Sequence, residues 1–370
     1  MSSKIENQTY QKIEQKLQKI VRKSAYLRNA LLLVHSEKRK IHWKFAFGSS
    51  GPNQDPLNAD HPYHIASIGK TFTSLIIARL YERGRIGYDD PISRFLPSGM
   101  LKGLFHHRGT DHSRDVLVRH LLNHTSGIAD YYEDKPVRGK PVKQMVVEEP
   151  ERFWKPEDTI AYTRENQKAV SVPGKKFHYS DTGYNLLGKI IENVTDRPFH
   201  ENLHNEIFDP LGMVNTYLLF YSEPRKKSPF PIADTFIGEH EVSTYKSISV
   251  DWAGGGIIST TEDLLLFQKA LVTNTLIKKE TFELCGRDLG KFGFGMDYGY
   301  GILFLNVGKM TLYMPGSLNM WGNFGSIAAY MFYNPVYDVY IIGSFNHSNY
   351  SRKQVIFLID VIRKVSKLCR

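Results

Sequence analysis

The chain has 370 residues, room for one large domain or two lobes. Its 41% hydrophobic and 23% charged residues are those of an ordinary globular protein and exclude a disordered or fibrous one. The net charge of +10 is uneven: residues 1–45 carry 11 Lys and Arg against 3 acidic residues, residues 351–370 carry 6 against 1, and the middle is net −3, which excludes a uniformly basic nucleic-acid binder.

The N-terminal stretch repeats Tyr10, Ile13, Leu17, Ile20 and Val21 at helical spacing, which predicts an amphipathic first helix. It has no apolar signal core and no small-residue cleavage site, so the expected location is the cytoplasm. No segment reaches the roughly 18 apolar residues of a membrane span. Two cysteines, Cys285 and Cys369, make neither a disulfide framework nor a zinc cluster. Next, ALLLV, the polar turn SEKRK and IHWKFAF read as a hairpin. From Lys70 to about Leu218 the periodicity is mostly helical, broken by Pro and Gly. Ser326 to Tyr333 and Val339 to Phe345 then read as strands around the turn Asn334-Pro335. Gln354 to Val365 closes the chain as a helix, with Val355, Leu358, Ile359 and Ile362 on one face. The expected architecture is α+β. An antiparallel sheet is built from both termini and flanked by N- and C-terminal helices. A mostly helical lobe, residues 66–239, is inserted between 1–65 and 240–370, with a cleft between the lobes. The two basic ends are solvated helices or, if they meet in space, a patch for weak contact with an anionic surface.

Within HIASIGKTFTSLIIARL, Phe72, Leu75, Ile76, Ile77 and Leu80 make a buried helical face, and Ser67 stands at its start. A serine there also serves as an ordinary helix N-cap. Lys70, three residues on, shares its face, so the amine reaches the hydroxyl. A serine is a poor nucleophile until an adjacent base takes its proton. A lysine acts as that base only where its surroundings lower its pKa, and the positive end of a helix favours both a neutral amine and an oxyanion.

Ser67-Ile-Gly-Lys70 followed by GRIGYDDPISRFLP resembles the first motif of the class C β-lactamase-like family, which also holds penicillin-binding proteins, D-peptidases and family VIII esterases. HLLNHTSGI, VPGKKFHYSDTGYNLLGKIIENVT, FDPLGM, AGGGIISTTEDLLLF and YGYGI resemble further segments of that family in order, over residues 25 to 350. The resemblance implies a serine hydrolase acting through an acyl-enzyme on Ser67, with Lys70 and Tyr179 sharing the proton transfers and no cofactor. The expected substrate is a small ester, amide or β-lactam, and nucleic acid is not an expected partner. The family's Tyr-x-Asn becomes Tyr179-Ser180-Asp181. Ionised Asp181 offers only acceptors: it either keeps Lys70 protonated, moving base duty to Tyr179, or is a structural acceptor. The third motif departs most. The match to Lys-Thr-Gly is Met314-Pro315-Gly316, with Gly316 allowing close approach of a substrate backbone and the Ser317 N–H as second oxyanion donor beside that of Ser67. No cation stands there, which favours neutral esters or amides over carboxylate-bearing substrates. The same departure leaves room for an impaired, penicillin-binding-like protein that only binds.

Three further signals have plainer readings. His200-Glu201-Asn202-Leu203-His204 spells H-E-x-x-H, a zinc-peptidase pattern, but here it reads as a helix leading to PLGM. Gly254-Gly255-Gly256 lacks the Lys-Ser/Thr of a phosphate loop and reads as a tight strand crossing. Tyr298, Tyr300, Phe304, Tyr313 and Trp321 are core aromatics or an acyl pocket, with Trp321 and Met320 the residues expected nearest the cleft.

Overall fold

The computed structural model describes residues 2–310 and 314–369. Helix α1 (Ser2–Lys23) precedes strands β1 (Asn29–Ser36), β2 (Ile41–Ser50) and β3 (Asp55–Pro56). Helices α2 (Gly69–Glu82), α3 (Asp181–Thr195) and α4 (Thr261–Val272) follow. The chain then returns through β4 (Gly290–Gly293), β5 (Met296–Tyr298), β6 (Leu303–Leu305), β7 (Met320–Phe324), β8 (Ala329–Asn334) and β9 (Val339–Ser344), ending in α5 (Gln354–Val365). These nine strands form one antiparallel sheet in the order β4-β5-β6-β7-β8-β9-β1-β2-β3. The fold is α+β.

The central strand shows why an unbroken apolar run belongs in this sheet. Every residue of β1 is buried, because both faces are covered. Leu32 and Val34 pack with Ile13, Leu17 and Val21 of α1 and with Leu358 and Ile362 of α5. Leu31 and Leu33 point the other way, into a core shared with α2, α3 and α4, where the Phe72 and Phe267 rings stack. Burying each such side chain contributes about 1.5–3 kcal/mol. The two basic ends lie side by side: α1 contacts α5, and Lys16 pairs with Asp360 at 2.6 Å. One boundary differs from the sequence expectation. Ser326 belongs to the turn between β7 and β8, where Ala328 adopts φ +62°, and β8 starts at Ala329. Among the described residues no helix is long and apolar enough to cross a membrane. Cys285 is a buried free thiol; the Cys369 side chain lies outside the described residues.

Candidate active site

Ser67 sits in a single 3₁₀ turn, Ala66–Ile68, that leads into α2. Its side chain caps no helix, since the caps of this turn and of α2 are Ile65 and Ile68. Ala66 carries φ +45°, a conformation that costs an L-residue energy and must be held by its surroundings. Glycines hold it. A Cβ on Gly255 would lie 2.6 Å from the Ala66 carbonyl oxygen, and one on Gly69 would lie 2.8 Å from the Gly255 Cα. Across the turn, a Cβ on Gly325 would lie 2.7 Å from the Ile65 carbonyl oxygen. The Gly254–Gly256 run is therefore not a strand crossing. It ends a helical turn, Trp252–Gly255, pressed against the serine turn.

Lys70 is fully buried, with a relative exposure of 0%. Its Nζ donates to Ser67 Oγ at 3.1 Å, to the Gly254 carbonyl at 2.9 Å and to the Asp181 carboxylate, and lies 5.0 Å from the Tyr179 ring centre. Burial pushes this ammonium down, but the Asp181 and Asp251 carboxylates outweigh it and hold the group above its ordinary value. Asp181 opens α3 directly after Ser180, whose hydroxyl accepts the Gly183 N–H at 3.3 Å. A carboxylate suits this helix end. Asp181 is thus a counter-ion for Lys70.

Tyr179 precedes this helix start. Its ring packs 4.2 Å from His124 and about 6 Å from Phe292 and Tyr298. His124 Nδ1 accepts the Ser180 N–H at 3.0 Å, and burial together with the Lys70 charge keeps the imidazole neutral. The HLLNHTSGI segment thus positions the tyrosine. Burial and the Asp181 charge raise the Tyr179 phenol well above its ordinary value, against a hydrogen bond from Ser67 that pulls it down.

Gly316 and Ser317 are not brought to Ser67. They form an exposed turn at the start of β7, where Ser317 Oγ meets the Tyr337 hydroxyl at 3.1 Å and the Ser317 carbonyl accepts from Asn334 at 2.8 Å. From that turn β7 leads away, and at roughly 3.3 Å per residue its five residues span about 16 Å to its far end. Asn323-Phe324-Gly325-Ser326 lies there against the serine turn. Ser326 and Ser67 line the same cavities, and neither N–H has a protein acceptor among the described residues. Asn323 is buried and donates to Thr71 Oγ1 and the Gly301 carbonyl, both at 3.2 Å, so this strand end also carries no cation. Met320 and Trp321 are core rather than cleft residues: Met320 packs among the terminal helices, and Trp321 packs on Phe282 and Tyr333. Tyr313 lies outside the described residues.

Two cavities meet at Ser67. One is small, about 100 Å³, lined by His64, Asp251, Ile237, Val242, Ile248 and Ile327 as well as the serine. The other is an open groove of about 660 Å³ with Phe292, Met296, Met310, Val355 and Ile356 along it. Sequence reasoning missed Asp251, which carries no periodic or motif signal. Burial and the Asp181 charge push its carboxyl up to about 7, and no described group hydrogen-bonds it. Asp130, also missed, accepts the N–H groups of Tyr132 and Asp181 and is held well above the ordinary carboxylate range by burial.

His200, Glu201 and His204 line a separate surface cavity beside Tyr221 to Arg225. The His204 ring is taken up by Asp209 and Ser222, both at 3.4 Å. Among the described residues no three His, Cys, Asp or Glu side chains are grouped to hold a metal ion.

The family model Beta-lactamase matches residues 12–359. The chain belongs to the β-lactamase family. Penicillin-binding protein 4* of Bacillus subtilis is 30% identical over 271 residues, 68% of this chain and 54% of the relative. The human mitochondrial serine beta-lactamase-like protein LACTB is 26% identical over 60% of this chain and 49% of its own. The chain spans about half the length of these curated relatives. Among solved structures, a D-stereospecific amidohydrolase from Streptomyces superposes with a TM-score of 0.77 at 26% identity, covering 93% of this chain and 97% of that one. The D-amino acid amidase of Ochrobactrum anthropi superposes at 0.73 and 21% identity over 96% and 98%, and so shares the fold of this β-lactamase-family chain.

Proposed function

We propose that the protein is a serine hydrolase that forms an acyl-enzyme on Ser67 and cleaves a neutral ester or amide with an apolar acyl group. The observation that carries this is Lys70 Nζ at 3.1 Å from Ser67 Oγ, clamped by Asp181 and the Gly254 carbonyl. The apolar groove and the absence of a cation on the Asn323–Ser326 strand end support the substrate class. A relative described as a D-stereospecific amidohydrolase makes the amide arm reasonable to test beside the ester.

Lys70 is held as a cation, so the serine proton moves by relay: Lys70 takes it from Oγ as it gives one of its own to Asp181. Oγ attacks the carbonyl carbon, and the N–H groups of Ser67 and Ser326 meet the charge developing on its oxygen. The neutral Tyr179 phenol donates its proton to the departing oxygen or nitrogen, and the proton on Asp181 returns through Lys70 to the phenolate. Water then repeats the sequence, and Ser67 leaves as the alcohol.

Turnover of a p-nitrophenyl butanoate and of the matching anilide tests this, with Ser67→Ala beside the wild type. The expected loss is about 10³-fold or more. A stoichiometric burst on Ser67 without turnover would assign the chain to proteins that acylate and only bind. Equal rates in both proteins would overturn the reading.

A further inference from the structure

The two most exposed large apolar side chains among the described residues, Phe294 at 73% and Ile356 at 69%, come from elements some sixty residues apart that both border the open groove at Ser67. Phe294 is the tip of the β4–β5 hairpin, between Phe292 and Met296, and both neighbours line the open groove at Ser67. Ile356 lines the same groove from the first turn of α5. Gly295, at φ +69°, sets the hairpin tip down on Met310, a fourth apolar lining residue. An apolar patch of this kind, continuous with a cavity, marks an interaction surface.

Its charge says what it meets. Lys291, Lys309, Arg352 and Lys353 alternate with these apolar residues in sequence and are all exposed. None forms an ion pair among the described residues, and Lys353 donates only to the Tyr26 hydroxyl, at 3.2 Å. The acidic side chains of the groove are engaged elsewhere: Glu133 by Lys143 at 3.3 Å, Asp134 by His178 at 2.7 Å, and Asp130, which is buried, by the Tyr132 and Asp181 N–H groups. Exposed apolar tips beside cations that no carboxylate among the described residues pairs fit the boundary of an anionic bilayer, where tips enter the acyl region and cations meet headgroups.

We propose that the mouth of the groove docks on an anionic lipid surface, through Phe294 and Ile356 and the cations Lys291, Lys309, Arg352 and Lys353. Docking is independent of the chemistry at Ser67. Its consequence, that lipid-borne acyl esters reach the serine along apolar surface, rests on the hydrolase reading.

Co-sedimentation of the full chain with phosphatidylcholine vesicles, with and without about a quarter phosphatidylglycerol, tests the docking. The expected result is binding to the mixed vesicles only, weakened by salt. It falls roughly 10-fold in Phe294→Ser and in the Lys291→Glu/Lys309→Glu double variant, while turnover of a soluble short-chain ester is unchanged. Ser67→Ala should bind as the wild type does, so failure of the hydrolase reading leaves this result intact. Binding that ignores lipid charge, no binding, or no effect of Phe294→Ser would overturn the proposal. So would a concentration-dependent dimer that Phe294→Ser abolishes, which would give the patch to a second copy of the chain.

Discussion

On the helical side of Ser67 the charged groups that touch it are committed. Lys70 holds the serine hydroxyl, the Asp181 carboxylate and a backbone carbonyl at once, and Asp181 is seated on a helix start. On the strand side, Gly325 sits within van der Waals limits of the serine turn, the Ser326 N–H has no acceptor among the described residues, and two cavities open. The first wall moves protons between partners already in contact, and the second waits for a substrate atom. A buried, fully paired charge and an unpaired N–H are opposite solutions to desolvation, and the site needs both.

Breaking the closed wall has the largest effect. Lys70→Met removes the cation that faces both Asp181 and Asp251, and turnover should fall about 10³-fold or more. Urea unfolding should also show a loss of about 3–5 kcal/mol, because a buried carboxylate is left without a counter-charge. Adding Asp181→Asn to Lys70→Met should restore most of that stability and none of the activity. A double variant no more stable than Lys70→Met alone would show that the pair is not what the closed wall depends on.

Breaking the open wall comes next. Gly325→Ala puts a methyl 2.7 Å from the Ile65 carbonyl oxygen and 3.1 Å from Ala66 Cβ, so the serine turn must move. Displacements of that size at a reacting atom cost on the order of 10²-fold, with little change in melting temperature. Gly316→Ala is the matched control: its nearest neighbour would be 3.8 Å away, and activity should change less than about 2-fold. The reverse outcome, Gly316 sensitive and Gly325 tolerant, would return the oxyanion strand to the register read from the sequence.

That pair also marks what was legible. Ser67 and Lys70 stand out because a helix fixes their separation, so three positions in sequence suffice to bring them together. The fold is legible for a similar reason: ALLLV and the terminal strands are local patterns, and the ordered family segments span the chain. The strand end at Asn323–Ser326 is set by the pairing of β7 with β6 and β8, Trp321 opposite Phe304 and Tyr333. A lone glycine near Met314 therefore competes with Gly325 on equal terms until register is known. Asp251 was illegible because nothing local distinguishes a carboxylate that later meets Lys70 from one in solvent.

Asp251 gives the smallest effect and sharpens the electrostatic side of the comparison. The folded protein keeps a proton on it up to about pH 7, whereas an unfolded aspartate releases its proton at about 3.9. Between those values the folded state binds more protons than the unfolded one, so this residue's contribution to stability falls as pH rises. Asp251→Asn should therefore match the wild type near pH 4 and be more stable at pH 8 by about 1–3 kcal/mol, read as a higher melting temperature. Asp251 is also one of the two carboxylates that keep Lys70 charged, so the variant's ester turnover should lose its alkaline plateau at a lower pH than the wild type's. A variant whose stability curve runs parallel to the wild type across that range would mean that Asp251 is already ionised, with Lys70 serving two carboxylates.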